Sequence, residues 1–256
     1  MKFSVFTIAR YTCVEAIRNR LFVLLLTGIL IIFGLGEFVG EIAITETQQI
    51  QVSILAFVLR FTAVLIISLF VIGSLVREFN DNAVSMIISL PVPRHVYYFG
   101  KFTGFSLLAL IIAVLISLPL WIYSPAGQVG LWTVSLICEL LILISISMLF
   151  ILTLENIPLA FTAVTAFYLL ARSINTILLI GQSPILESTA LSQKFMNILV
   201  LIIAYILPDL DKFTQTSWLV YAFGTIHNLY FVCLQTLIYL AFLSAAALFD
   251  LYRKNF

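Results

Sequence analysis

The chain has 256 residues, of which 62% are hydrophobic and only 10% charged, and its mean hydropathy is +1.17. One soluble core cannot hide that much apolar surface, so the bilayer must be the solvent for most of it. A net charge of +1 offers no basic field for nucleic acid and no acidic tail for a basic partner, which excludes nucleic-acid binding.

Before the first long apolar run, Phe3, Phe6, Cys13, Val14 and Ile17 fall on one helical face, and Ser4, Thr12, Glu15, Arg18 and Asn19 lie off it. This predicts a helix over 1–20 lying in the membrane interface, although Arg10 interrupts the apolar arc. No small-residue cleavage site follows, so the first helix is expected to stay in the mature protein. A crossing needs about 20 mostly apolar residues. The runs 21–40, 52–76, 102–123, 131–154, 157–180 and 229–249 qualify, which makes the chain an all-α polytopic membrane protein with six transmembrane helices in one domain. The apolar stretch 195–207 is shorter and ends at Pro208-Asp209, the pattern of a re-entrant segment before the last span.

Between the second and third spans, Asn80, Asp81 and Asn82 offer N-cap oxygens. Val84, Met86, Ile87, Ile88 and Leu90 follow, closed by Pro91-Val92-Pro93 and Arg94. This reads as a short apolar helix over 80–90 outside the membrane, suited to docking another protein; it also reads as the frayed end of the second span. Nine bases (Lys2, Arg10, Arg18, Arg20, Arg77, Arg94, Lys101, Arg253 and Lys254) flank the spans on one side and only Lys194 and Lys212 on the other. The bias puts both termini and the 80–90 helix in the cytoplasm. The turn at Glu155-Asn156-Ile157-Pro158 carries no base, and its placement rests on the alternation of the other spans.

Catalytic patterns do not appear in the sequence. His95 and His227 stand outside any HExxH context, Gly181-Gln182-Ser183-Pro184 has no histidine partner on a span, and Asp81, Asp209, Asp211 and Asp250 all lie at span ends or in loops. Cys13, Cys138 and Cys233 are far apart in sequence with no metal-ligand spacing and read as small buried hydrophobes. Gly100-Lys101-Phe102-Thr103 lacks the upstream glycine of a phosphate-binding loop. No catalytic residue, metal site or cofactor is therefore expected in this chain, and any ATP hydrolysis must occur on another one.

Arg60, Glu139 and Arg172 fall inside predicted spans, where an unpaired charge costs about 2.5–3.5 kcal/mol or more. Each is eight residues from the outer end of its apolar run, about 12 Å down. They are expected to form one intramembrane charge network, with Glu139 touching one arginine and the other facing water, a lipid phosphate or an anionic substrate. Such a network either holds the bundle together or lines a substrate path, and both readings stay open. Trp121, Tyr123, Trp132, Trp218, Tyr221 and Tyr230 near the outer span ends read as interfacial anchors.

With these residues in view the chain resembles the ABC type-2 (ABC-2) transporter permeases, in particular the branch with the permease of the nitrous-oxide-reductase maturation transporter. The resemblance is carried by Ala9-Arg10-Tyr11-Thr12-Cys13-Val14-Glu15-Ala16-Ile17-Arg18-Asn19-Arg20, by Arg77-Glu78 with Ser89-Leu90-Pro91-Val92-Pro93-Arg94 and Gly100-Lys101, by Leu207-Pro208-Asp209-Leu210-Asp211-Lys212-Phe213, and by Phe249-Asp250-Leu251-Tyr252-Arg253-Lys254-Asn255-Phe256. It implies a permease subunit in a bacterial inner membrane that pairs with a second copy of itself and with two cytoplasmic ATPase subunits holding the ATP and magnesium. A periplasmic accessory protein is a further implied partner. The 80–90 segment would be the coupling helix, with Asp81, Val84, Met86, Ile87, Ile88, Leu90 and Arg94 at the ATPase. Copper handling, which the branch suggests, finds no support in four methionines and three scattered cysteines. A non-transporting scaffold or assembly factor binding through the same helix is the alternative reading.

Overall fold

The computed structural model describes residues 2–42, 47–80, 93–154, 156–181 and 191–253. In chain order the helices are α1 (Lys2–Arg18), α2 (Leu21–Ile42), α3 (Thr47–Asn80), α4 (Arg94–Ser117, continued by a 3₁₀ turn over Leu118–Ile122), α5 (Ala126–Leu154), α6 (Ile157–Gly181), α7 (Leu191–Ile206), α8 (Thr216–Tyr221) and α9 (Ile226–Arg253). A second 3₁₀ turn, Leu210–Lys212, lies between α7 and α8. No strand occurs among the described residues. Six helices, α2 to α6 and α9, are long and apolar enough to cross a membrane, and the chain is an all-α multi-pass membrane protein.

Helix α5 is the centre of the bundle and packs against α3, α4, α6, α8 and α9. Its most apolar stretch is 72% buried inside the protein, against 11% for α2 and 22% for α9. An all-round apolar helix that is buried belongs to the interior, and one that is exposed belongs to the lipid-facing wall. The helices outrun their apolar runs: α3 has 34 residues, about 51 Å at 1.5 Å per residue, because its ends carry Thr47 to Gln51 and Arg77 to Asn80 beyond the hydrocarbon. Asn80 is the last described residue of α3, and residues 81–92, which hold the rest of the expected 80–90 helix, lie outside the described residues.

The crossings alternate. At one end, called the near end here, Arg94 at the start of α4 bonds the carbonyls of Leu251 and Tyr252 at the end of α9, and Thr153 at the end of α5 bonds Asp250. The turn between α5 and α6 therefore lies at the near end, as the parity of the other spans requires. At the far end Ser124 and Gln128 bond the backbone of Leu219, Ala222 and Gly224. Asn175, six residues before the end of α6, donates to Asp209 and Asp211 just after α7. The chain thus leaves α7 at the end where α6 delivered it, without a further crossing.

Helix α1 is the predicted N-terminal helix, packed on α4 through a small-residue face: Thr12 and Ala16 are buried, while Phe6, Tyr11, Val14 and Ile17 point outward. The close approach depends on two glycines of α4. A Cβ at Gly100 would stand 2.9 Å from Ile8 Cβ, and one at Gly104 2.8 Å from Thr12 Cβ.

The fold brings two cysteines together and changes one reading, that of two tryptophans. Cys138 and Cys233, distant in sequence, meet between α5 and α9 with their sulfurs 4.0 Å apart. Trp132 and Trp218 are buried at 0% and 1% exposure, so they fill the bundle, and interfacial anchoring falls to exposed Trp121, Tyr221 and Tyr230.

Candidate functional site

Non-helical backbone is tolerated at membrane depth only where protein satisfies its amides and carbonyls. The connection from Pro208 to Gln215 is such a segment, and Leu210, Phe213 and Thr214 within it are all completely buried. Phe213 and Leu210 bring apolar surface inward. Thr214 takes a left-handed conformation at φ 42°, which turns its polar groups toward three helices.

The three intramembrane charges meet at this segment. Arg172 of α6 donates through Nη1 to the Leu210 carbonyl at 2.7 Å and to Thr214 Oγ1 at 3.3 Å, and the same nitrogen lies 3.4 Å from Glu139 Oε1 of α5. Thr214 Oγ1 in turn donates to Glu139 Oε2 at 2.6 Å, a charge-assisted bond. The Thr214 amide donates to Ser135 Oγ at 2.9 Å, and Arg60 Nη1 of α3 donates to the Thr214 carbonyl at 3.2 Å. Tyr168 of α6, also buried, interacts with both Glu139 and Arg60. Arg60 and Glu139 each sit thirteen residues from the far-end starts of their helices, about 20 Å down, and Arg172 nine residues from its end, about 14 Å. These depths exceed the sequence-based figure because the helices begin before the apolar runs, yet the residues still meet.

Half of the expected arrangement differs. Glu139 does contact one arginine, Arg172. The other does not face water: Arg60 is only 6% exposed, lies over the Phe57 ring at 5.5 Å, and its Nε has no hydrogen-bond partner among the described residues. Each arginine satisfies a carbonyl of the inserted segment, so the cluster holds irregular backbone at depth. Thr214, Ser135 and Tyr168 have no charge and no motif, and nothing in the sequence marked them. Glu37, a carboxylate inside the first span, also escaped notice; it accepts a hydrogen bond from Tyr123 OH.

A second cluster closes the near end. Lys101 of α4, 3% exposed, places Nζ 2.5 Å from Glu78 Oε1 of α3 and 3.6 Å from Glu15 Oε2 of α1. Tyr97 OH donates to Glu78 Oε2 at 2.6 Å and Ser74 Oγ to Glu15 Oε2 at 2.8 Å. Glu78 and Lys101 are residues whose strings suggested coupling, and they bracket the 81–92 connection. Arg94, at the downstream end of that connection, donates at 2.7 and 3.0 Å to the last carbonyls of α9, where a cation also complements the helix dipole. Of the expected docking residues, Arg94 is thus placed; Asp81, Val84, Met86, Ile87, Ile88 and Leu90 lie outside the described residues.

Each cluster holds a hydroxyl on a carboxylate, Thr214 on Glu139 and Ser74 on Glu15, and no group of three or more metal-ligating side chains occurs among the described residues. One cluster ties α3, α5 and α6 together at depth, and the other ties α1, α3 and α4 at the near end. No protein-family model matches the chain, and no curated protein matches it in sequence.

Proposed function

We propose that this chain is the transmembrane permease subunit of an ABC transporter of the type-2 group, acting as a homodimer in a bacterial inner membrane with both termini cytoplasmic. Two ATPase subunits on the cytoplasmic side supply ATP and magnesium, and the 80–90 segment docks into them. The observation that carries this reading is the fastening of both ends of the 81–92 connection. Upstream, Glu78 is locked to Lys101 and Tyr97; downstream, Arg94 is locked to the end of α9. A docking helix hung between such anchors passes a displacement to α3, α4 and α9 together, and through them to α5 at the centre of the bundle. An ordinary loop needs no such frame.

The burial of Arg60 favours one refinement and one alternative. With both arginines engaged by the inserted segment, the charged layer transmits motion between α3, α5 and α6 and does not line an open substrate path in the single chain. The same observation suits a non-transporting scaffold or assembly factor that binds partners through the near end. Affinity purification in mild detergent, followed by mass spectrometry, separates the two. Recovery of a stoichiometric ATPase, lost on Ile87→Asp or Ile88→Asp while the permease still inserts, supports the transporter; a stable complex without an ATPase supports the scaffold.

A further inference from the structure

Arg10 stands out in the amphipathic N-terminal helix because it breaks an apolar arc. It has no ion-pair partner among the described residues, and the carboxylate on its own helix, Glu15, is taken by Lys101 and Ser74. Beside it a groove of 670 Å³ runs between α1 and α4, within the roughly 300–1,000 Å³ of ordinary ligand sites. Val5, Phe6, Ala9, Val96, Phe99 and Leu107 line it together with Arg10, and its surface is almost entirely apolar. His95 also lines the groove. Its Nδ1 lies 3.3 Å from Tyr252 OH, and when that nitrogen accepts from the tyrosine the ring proton is on Nε2, a second donor.

An apolar slot with a cation in its lining, for which no ion-pair partner occurs among the described residues, has the chemistry of one ligand: a phospholipid with a net negative headgroup. We propose that the α1–α4 groove is a binding site for a single anionic phospholipid, with one acyl chain lying along Phe99 and Leu107 and the phosphate held by Arg10 with His95 beside it. An interfacial α1, as its sequence predicts, would hold the headgroup at the level where anionic lipids attract basic residues. The occupant explains why a charge is kept on an otherwise apolar face.

Native mass spectrometry of the detergent-purified chain tests this with phosphatidylglycerol and phosphatidylcholine of identical acyl chains. One phosphatidylglycerol should survive stripping of bulk lipid and outlast phosphatidylcholine. Arg10→Gln should reduce its retention about fivefold, the worth of one basic residue at a charged surface, and Arg10→Lys should restore it. Glycerol phosphate at millimolar concentration should not displace the lipid, because the chain and not the free anion anchors it. Ala9→Phe, which fills the groove, should abolish retention of both lipids, and a photoactivatable phosphatidylglycerol should label peptides from α1 and α4. Equal retention of the two lipids, indifference to Arg10→Gln, or photolabelling confined to other helices would overturn the site. So would a groove-filling variant that keeps its lipid and instead changes the oligomeric state, which would give the groove to a second copy of the chain.

Discussion

Replacing Glu139 with glutamine keeps the shape of the side chain and an acceptor for Thr214, but removes the carboxylate that faces Arg172 directly and Arg60 nearby. Two guanidinium groups then share a layer with no counter-charge from Glu139. Removing one partner of a buried pair typically costs ~3–5 kcal/mol. The Arg172 side chain is 20% exposed and can turn part of its charge toward water, so the loss should lie near the lower bound, ~3 kcal/mol. Thr214→Val, which deletes one hydroxyl donating to that carboxylate, should cost less, ~1–3 kcal/mol. Reversible unfolding in mixed micelles measures both, with Trp132 and Trp218 as buried fluorescent reporters. The double variant Glu139→Gln with Arg172→Met should show a coupling of at least ~1 kcal/mol in a double-mutant cycle. A Glu139→Gln protein within ~0.5 kcal/mol of the parent, the spread of ordinary surface changes, would refute the idea that these charges depend on one another.

Arg60→Met should be milder than Glu139→Gln, because it removes the second positive charge and an unsatisfied buried Nε together and leaves only the Thr214 carbonyl without its donor; equal or greater destabilisation in the same assay would make Arg60 the true partner of Glu139. Gly104→Val should force α1 off α4, since the new Cβ would meet Thr12 Cβ at 2.8 Å, and cost ~1–3 kcal/mol, seen as faster proteolysis of the N-terminal helix. Burial pushes the Cys13 thiol above its ordinary range, which lowers its thiolate fraction at any given pH; maleimide labelling should be slow at pH 7, accelerate as pH rises, and speed up in Gly104→Val. A cysteine placed at Glu46 should react only from outside the cell and one at Arg253 only from inside, and the reverse pattern would invert the proposed topology.

The six crossings were legible because about twenty apolar residues in a row have few other uses, but which one is central was not, since α2 is about as apolar as α5 and is 11% buried against 72%. Arg60, Glu139 and Arg172 could be singled out since a charge at depth must find a partner, and equal distances from span ends put them at one level. What they would bind was hidden. Their main partner is the backbone of Leu210 and Thr214, and a carbonyl carries no side-chain signal; residues of that segment read from sequence as an outer loop. The inner contacts of α1 were hidden for a related reason: its largest apolar side chains face outward, while Thr12 and Ala16 make the helix contact. Glu78 and Lys101 are 23 positions apart, and no local period reveals an ion pair across a connection of that length.

The central claim is that a cytoplasmic ATPase docks on the 80–90 segment and that the Glu15–Lys101–Glu78 cluster carries the motion onward. ATP hydrolysis by the reconstituted complex, measured beside ATPase binding, tests it most directly. Ile87→Asp should lose both binding and stimulated hydrolysis, whereas Lys101→Met, which lies behind the docking segment, should keep the ATPase bound while stimulation falls. Full stimulation in Lys101→Met together with undiminished ATPase binding in Ile87→Asp would contradict the account.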